Sequence, residues 1–129
     1  DEHGRIDVLY PPLWEEVKLM PAEIKTIAPY LVNGDFVKTD LGNGIFAATW
    51  KYQKSVLTII VNSGHYGTHL DPANNDSNTR SVSLPLPTGC SGLAKNLFLN
   101  RPGTMTFSEG KLQGTTNLLD VQVYTLDSN

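Results

Sequence analysis

The sequence has only one cysteine, Cys90, so no disulfide bond can form within the chain. It also lacks any apolar run of the roughly 20 residues that a membrane-spanning helix needs. The longest apolar run, residues 56–61, contains Thr58 and has the length of a strand. Lysine and arginine form no cluster and the net charge is −3, whereas binding to phosphates requires clustered cations. We therefore expect neither a nucleic-acid nor a membrane partner.

Length and composition are those of one folded domain. The chain has 129 residues, of which 40% are hydrophobic and 18% charged, close to the averages of globular proteins. We therefore expect a soluble protein with its own hydrophobic core.

The sequence begins at Asp1 with neither an initiator methionine nor an apolar signal core. A processed or truncated chain is expected, and its localisation stays open.

Helical periodicity is confined to the first quarter of the chain. Pro21 lies inside the periodic run, so we expect a kink or two consecutive helices, the second with Pro21 in its first turn and ending before Pro29. Residues 33–35 (Asn-Gly-Asp) then end the pattern. The apolar residues that recur at spacings of three and four, typical of one helix face, are Leu13, Val17, Met20, Ile24, Ile27, Ala28 and Leu31.

After Gly34 the pattern is that of short strands separated by turn residues, without helical periodicity. The two-residue link Gln53-Lys54 between the most apolar segments predicts a tight antiparallel hairpin at the centre. We therefore predict a mainly β fold, an antiparallel β-sandwich of about eight strands preceded by an N-terminal amphipathic helix. The predicted strands are 36–39, 44–52, 55–62, 80–86, 93–96, 104–107, 111–116 and 121–126.

The residues that could carry chemistry form only weak patterns. His65, His69 and Asp71 lie in a long polar connection and are of metal-ligating types. The glycines and the proline of this segment disfavour the helix that would align two histidines four residues apart. A plain polar loop is the simpler interpretation, and we expect no cofactor. Paired carboxylates for glycoside hydrolysis do not stand out. Cys90 has no adjacent base, so an inert or partly buried thiol is expected.

Three segments resemble parts of (β/α)8-barrel glycoside hydrolases that carry a β-sandwich after the barrel. Residues 12–18 (PLWEEVK) with 22–31 (AEIKTIAPYL) resemble the last barrel helix and its exit segment. Residues 44–52 with 57–62 look like the hairpin that opens the sandwich, and 110–114 with 119–124 are similar to its closing strands. The sequence departs from this pattern at Gln53-Lys54, where such enzymes usually carry a glycine, and in the 65–78 loop.

The resemblance implies that this chain is not an enzyme by itself but a non-catalytic C-terminal accessory domain of a glycoside hydrolase. Residues 1–33 would be the end of a barrel domain and 34–129 the sandwich. Catalytic carboxylates of such enzymes lie on the barrel, so no catalytic residue is carried over. The implied partner is the barrel of the same polypeptide, and secretion or a periplasmic location is suspected. The isolated chain is predicted either to self-associate through this helix or to have a helix that is mobile in solution. The interface residues would be Leu13, Trp14, Val17, Ile24 and Ile27.

Two other functions stay open at this point. A carbohydrate-binding module would use exposed aromatic rings, for which Tyr66 and Trp50 are the candidates. Trp50 lies in the strongest predicted strand, where packing is the more common role, so Tyr66 is the better candidate. A small metal-dependent hydrolase would be built on His65, His69 and Asp71. The accessory function is favoured because the amphipathic helix needs a partner surface.

Overall fold

A computed structural model describes residues 19–42, 44–63, 79–117 and 120–129. All eight predicted strands are present within a few residues of their expected positions, and the prediction of a mainly β sandwich is confirmed. The elements are α1 (Pro21–Asn33), β1 (Asp35–Gly42), β2 (Ile45–Tyr52), β3 (Ser55–Asn62), β4 (Arg80–Pro85), β5 (Cys90–Asn96), β6 (Thr106–Ser108), β7 (Lys111–Thr116) and β8 (Val121–Ser128).

The strands form two antiparallel sheets. The larger has the order β1-β2-β3-β8-β5, and the smaller has the order β4-β7-β6. In the predicted central hairpin Ile45 pairs with Asn62 and Tyr52 with Ser55, so the link is Gln53-Lys54 as expected. Strand β8 lies between β3 and β5. The last strand in the sequence is therefore one of the innermost in the fold.

The larger sheet is covered on both faces, which explains why β2, β3 and β8 are buried along nearly their whole length. Successive side chains point to opposite faces, so the sheet contributes to two separate hydrophobic clusters. The first cluster lies between the larger sheet and α1 and contains Ile27, Leu31, Ala48, Trp50, Leu57, Ile59, Val61, Val121 and Val123. The second cluster lies between the larger and the smaller sheet and contains Ile45, Ala47, Ile60, Val82, Leu84, Met105, Leu112, Tyr124 and Leu126.

Helix α1 has Pro21 in its first turn, as predicted, but continues through Pro29 to Asn33. The prediction that it ends before Pro29 was wrong. Proline inside a helix costs a hydrogen bond and crowds the preceding turn. Pro29 is exposed, whereas Leu31, two residues later, is buried in the core cluster below the helix. Burial of this leucine offsets the local cost and holds the last turn in helical form.

The helix ends at Gly34, where the chain passes close to the sheet. The Gly34 N–H donates to the Tyr30 carbonyl oxygen at 2.8 Å. A Cβ atom at position 34 would lie 2.6 Å from that oxygen and 3.0 Å from Trp50 Cβ. Glycine is therefore required here for space, because a side chain would force the helix end away from the sheet.

Candidate interface at the helix-covered face of the sheet

Most residues that the sequence singled out lie outside the described residues, so their roles stay predictions. They are the loop residues His65, Tyr66, His69 and Asp71, and the interface residues Leu13, Trp14 and Val17. Trp50, Ile24 and Ile27 are described. The structure brings Trp50 and Ile27 together in one cluster. The sequence had suggested a different role for each, sugar stacking for Trp50 and a domain interface for Ile27.

Trp50 is a core residue. Its side chain is 0% exposed, and its ring packs against Phe36 with centroids 5.1 Å apart. The indole Nε1 has no hydrogen-bond partner in the described part of the chain, and no surface of the ring is open to a ligand. The candidate role of Trp50 in sugar stacking is at odds with this position, because stacking requires an exposed ring face.

The inner face of α1 packs on the sheet of this same chain. Ile27 is 0% exposed and lies in the cluster with Leu31, Trp50 and Leu57. It has no surface left for a neighbouring domain, so its position does not fit the expected role as an interface residue. Ile24 is partly exposed and keeps some surface for a partner. The division of the chain at residues 33 and 34 stays a prediction, although helix and sheet share one cluster.

A mostly buried ion pair fixes the first turn of α1. Arg101 donates from Nε to Glu23 Oε2 at 2.8 Å and from Nη2 to Oε1 at 2.7 Å. The exposed fractions of the two side chains are 15% for Arg101 and 9% for Glu23. Glu23 Oε1 also accepts the backbone N–H of Met20 at 2.8 Å. The bidentate pair thus joins α1 to the connection between β5 and β6.

The hydrogen bonds from Arg101 hold the pKa of Glu23 below the ordinary value of 4.5, and the Met20 N–H and the Arg101 charge act in the same direction. Burial opposes them but does not prevail. Glu23 is therefore ionised at neutral pH. A general acid in glycoside hydrolysis needs a raised pKa, so this carboxylate is suited to holding structure rather than to donating protons.

Two other described carboxylates cap turns. Asp40 Oδ1 accepts the Gly42 N–H and Asp120 Oδ2 accepts the Asn117 N–H, both at 2.8 Å. Such side-chain caps are the usual role of aspartate beside strands. Within the described ranges no group of three or more histidine, cysteine and acidic side chains could hold a metal ion.

A buried polar network lies at one end of the cluster between the two sheets. Tyr124 donates to Gln122 Oε1 at 2.5 Å and accepts the Met105 N–H at 2.9 Å. Gln122 Nε2 donates to the Thr115 carbonyl oxygen at 3.1 Å. Burial raises the pKa of Tyr124. These groups satisfy one another and attach the segment before β6 to β8, a structural role that the sequence alone did not reveal.

Cys90 is partly buried at the start of β5. Burial raises the pKa of its thiol above the ordinary value of 9.0, so the thiolate fraction at neutral pH is small. A nucleophilic cysteine needs a lowered pKa. The expectation that Cys90 is a partly buried thiol is confirmed.

The described surface offers no prominent aromatic platform. Tyr30 and Tyr52 meet edge to face with centroids 5.9 Å apart, and the Tyr30 hydroxyl bonds with the Ser55 hydroxyl at 2.8 Å. Both rings belong to the junction of α1 with the hairpin. The aromatic residues of the described ranges, all of them buried or partly buried, are Tyr30, Phe36, Phe46, Trp50, Tyr52, Phe98, Phe107 and Tyr124.

In the described ranges no helix has the length and apolarity needed to cross a membrane.

Comparison of the sequence with family models finds no match. Comparison with curated proteins also finds no match.

Solved structures do show a similar fold. An Anoxybacillus alpha-amylase, whose crystal structure is described as providing insights into a new glycosyl hydrolase subclass, is similar over 83% of this chain with a TM-score of 0.57 and 20% identity. A glycoside hydrolase family 30 subfamily 8 xylanase from Clostridium acetobutylicum is similar over 72% of it, with a TM-score of 0.47 and 12% identity. This chain spans only 21% of the amylase chain and 24% of the xylanase chain. At these identities the likeness concerns the fold alone.

Proposed function

We propose that this chain is a non-catalytic C-terminal accessory domain of a glycoside hydrolase, which packs against the catalytic barrel of its polypeptide and stabilises it. The observation that carries the proposal is the likeness of most of this chain to about a fifth of an alpha-amylase. A piece of that relative size leaves room for a barrel of roughly 250 residues elsewhere in the polypeptide.

The chemistry of the described residues supports a non-catalytic role. The ionised Glu23 carboxylate is paired with Arg101, and Asp40 and Asp120 cap turns. Retaining and inverting glycosidases both need two carboxyl groups about 5–10 Å apart across an open site. Engaged carboxylates of this kind support a structural function. In this proposal Leu13, Trp14, Val17 and Ile24 face the barrel.

The test is a truncation of the complete polypeptide that carries this chain. Removal of residues 19–129 takes α1 away together with the sheet on which it packs. It should lower the melting temperature of the catalytic domain and leave kcat on a small soluble glycoside within about twofold, because no reacting group is lost. A fall in kcat by several orders of magnitude, with the remaining domain still folded, would show that this chain supplies catalytic groups. The isolated chain should hydrolyse neither starch nor xylan.

The two alternatives have their own measurements on the isolated chain. Calorimetry with soluble oligosaccharides should show weak or no binding, and micromolar binding lost on Tyr66→Ala would favour a carbohydrate-binding module. Reloading with zinc after chelation should leave the melting temperature nearly unchanged, whereas a well-occupied site stabilises a fold by several kcal/mol, on the order of 3–4. A large shift abolished by His65→Ala or His69→Ala would favour the metal-dependent hydrolase.

A further inference from the structure

Strand β1 forms one edge of the larger sheet, and of the described strands only β2 pairs with it. None of its eight residues is buried, and Val37 in its middle is 56% exposed. The outer side of an edge strand presents backbone N–H and C=O groups to which another strand can bind. An exposed edge strand of this length is therefore a template for a further strand.

The other three sheet edges carry features that hinder strand pairing. Strand β4 has six residues, and the last of them, Pro85, has no N–H to donate. Strand β6 has only three residues, and the pairing of β5 with β8 is interrupted by a register shift in its middle. Strand β1 shifts register only at its end, between Asp40 and Gly42. Its residues 35–40 pair regularly, so β1 is the edge best suited to pairing with another chain.

The alternation of side chains along β1 limits how a second copy of this chain could pair with it. Val37, Thr39 and Leu41 lie on the face of the sheet that carries the second cluster, and Lys38 and Asp40 lie on the face that carries α1. Residues directly opposite each other in an antiparallel pair lie on the same face. Two copies that extend one sheet are therefore related by a twofold axis at a residue, which then pairs with itself.

The charges of β1 favour an axis at Thr39. Lys38 of each copy then lies opposite Asp40 of the other, and Val37 lies opposite Leu41. An axis at Lys38 would bring two ammonium groups together, and an axis at Val37 would place neither charge opposite one of the other sign. Opposite charges directly across an antiparallel pair stabilise it, whereas like charges destabilise it. The charge pattern that would otherwise protect this edge is thus complementary to itself.

We propose that β1 is the surface through which a second copy of this chain binds, by antiparallel pairing of the two β1 strands about Thr39. The inference goes beyond the accessory function proposed above and does not depend on it. Eight residues from each copy make a contact smaller than the roughly 20–30 residues a side of a standard interface. The dimer should therefore be weak and should form as the chain concentration rises.

Cysteine crosslinking tests the register in the 129-residue chain. In a Cys90→Ser background, Thr39→Cys should form a disulfide-linked dimer under mild oxidation. At the axis the two Cβ atoms lie roughly 4.5–5.5 Å apart, close to the separation that a disulfide requires. Val37→Cys is the matched control, because its two copies would lie about 14 Å apart along the strands. Thr39→Cys should thus give about tenfold more dimer than Val37→Cys, and equal or reversed yields would overturn the proposal.

Sedimentation velocity over a series of chain concentrations supplies the second measurement. Lys38→Glu places like charges opposite each other twice, so the dissociation constant of the dimer should rise about tenfold. Lys95→Glu makes the same change of charge on β5 at the other edge of the sheet and should leave that constant within about twofold. Both lysines are exposed, so both variants should fold, which circular dichroism checks.

Three outcomes would overturn the β1 surface without touching the accessory function. The wild-type chain could stay monomeric at millimolar concentration, or the two charge variants could weaken the dimer equally. A dimer that forms without crosslinking at Thr39→Cys would show that the chain associates through another surface, such as α1.

Discussion

Replacement of Ile27 by alanine measures how much α1 contributes to the stability of this domain. The Ile27 side chain has no exposed surface and packs with Leu31, Trp50 and Leu57. Truncation of such a side chain costs about 2–5 kcal/mol, because transfer free energy is lost and a cavity remains. The central sheet is covered on both faces and cannot easily collapse into the gap. We therefore expect a loss of about 3 kcal/mol in the free energy of unfolding.

This loss is a large part of the stability of about 5–15 kcal/mol that is typical of a domain. At a length of 129 residues, each kcal/mol corresponds to about 3–5 °C, so the melting temperature should fall by about 10 °C. Urea denaturation followed by circular dichroism gives the free energy directly. The midpoint should move while the m-value stays constant, since the surface exposed on unfolding hardly changes.

Val32 on the same helix is 54% exposed, so Val32→Ala is the matched control and should change stability by less than about 0.5 kcal/mol. If Ile27→Ala costs no more than Val32→Ala, the helix is dispensable and our reasoning is refuted. Deletion of residues 1–28 is the harsher form of the same test. We expect it to abolish cooperative unfolding, whereas the sequence-based division at residues 33 and 34 implies a sandwich that folds without the helix.

Three further predictions concern local contacts and are measured by urea denaturation. Glu23→Gln should cost about 1–3 kcal/mol at neutral pH. Because the pKa of Glu23 is lowered on folding, its contribution is complete above the ordinary value of 4.5 and is lost as the pH falls through the folded pKa, so wild type and variant should converge in acid. A gap that persists at low pH would contradict the pairing with Arg101. Gln53 has a φ of 55°, so Gln53→Gly should raise the free energy of unfolding by about 0.5–1 kcal/mol. Lys54→Gly is the control and should not stabilise the domain. Equal effects of the two substitutions would argue against backbone strain at Gln53. Gly34→Ala should cost about 1–3 kcal/mol because its Cβ has no space, and a neutral result would show that the helix end can shift.

The strands could be predicted from the sequence because their signals are local. Apolar and β-branched runs end at turn residues, and the Gln53-Lys54 link makes the hairpin a contact between neighbours in the chain. The end of α1 shows the limit of local reasoning. Pro29 is a sound terminator by its own preference, yet the helix continues because Leu31 gains more from burial than the proline costs.

The ion pair at the start of the helix had no local signal. Glu23 in a first helical turn is already explained by the helix dipole, and its partner Arg101 lies 78 residues away in the sequence. The buried contacts of Gln122 and Tyr124 are similar, because the alternating pattern of β8 does not show that polar groups face the core. Only the folded chain brings such partners together.

The sequence by itself determined the order and type of the described elements, a helical segment followed by short strands, because periodicity and turn residues act within a few positions. The tertiary structure decided that β8 lies between β3 and β5 and that α1 covers one face of the larger sheet while the smaller sheet covers the other. It also placed the side chains of Trp50 and Ile27 in the buried core. These features depend on the burial of residues that are distant from one another in the sequence. A pattern of neighbouring residues does not show which distant residues will pack together.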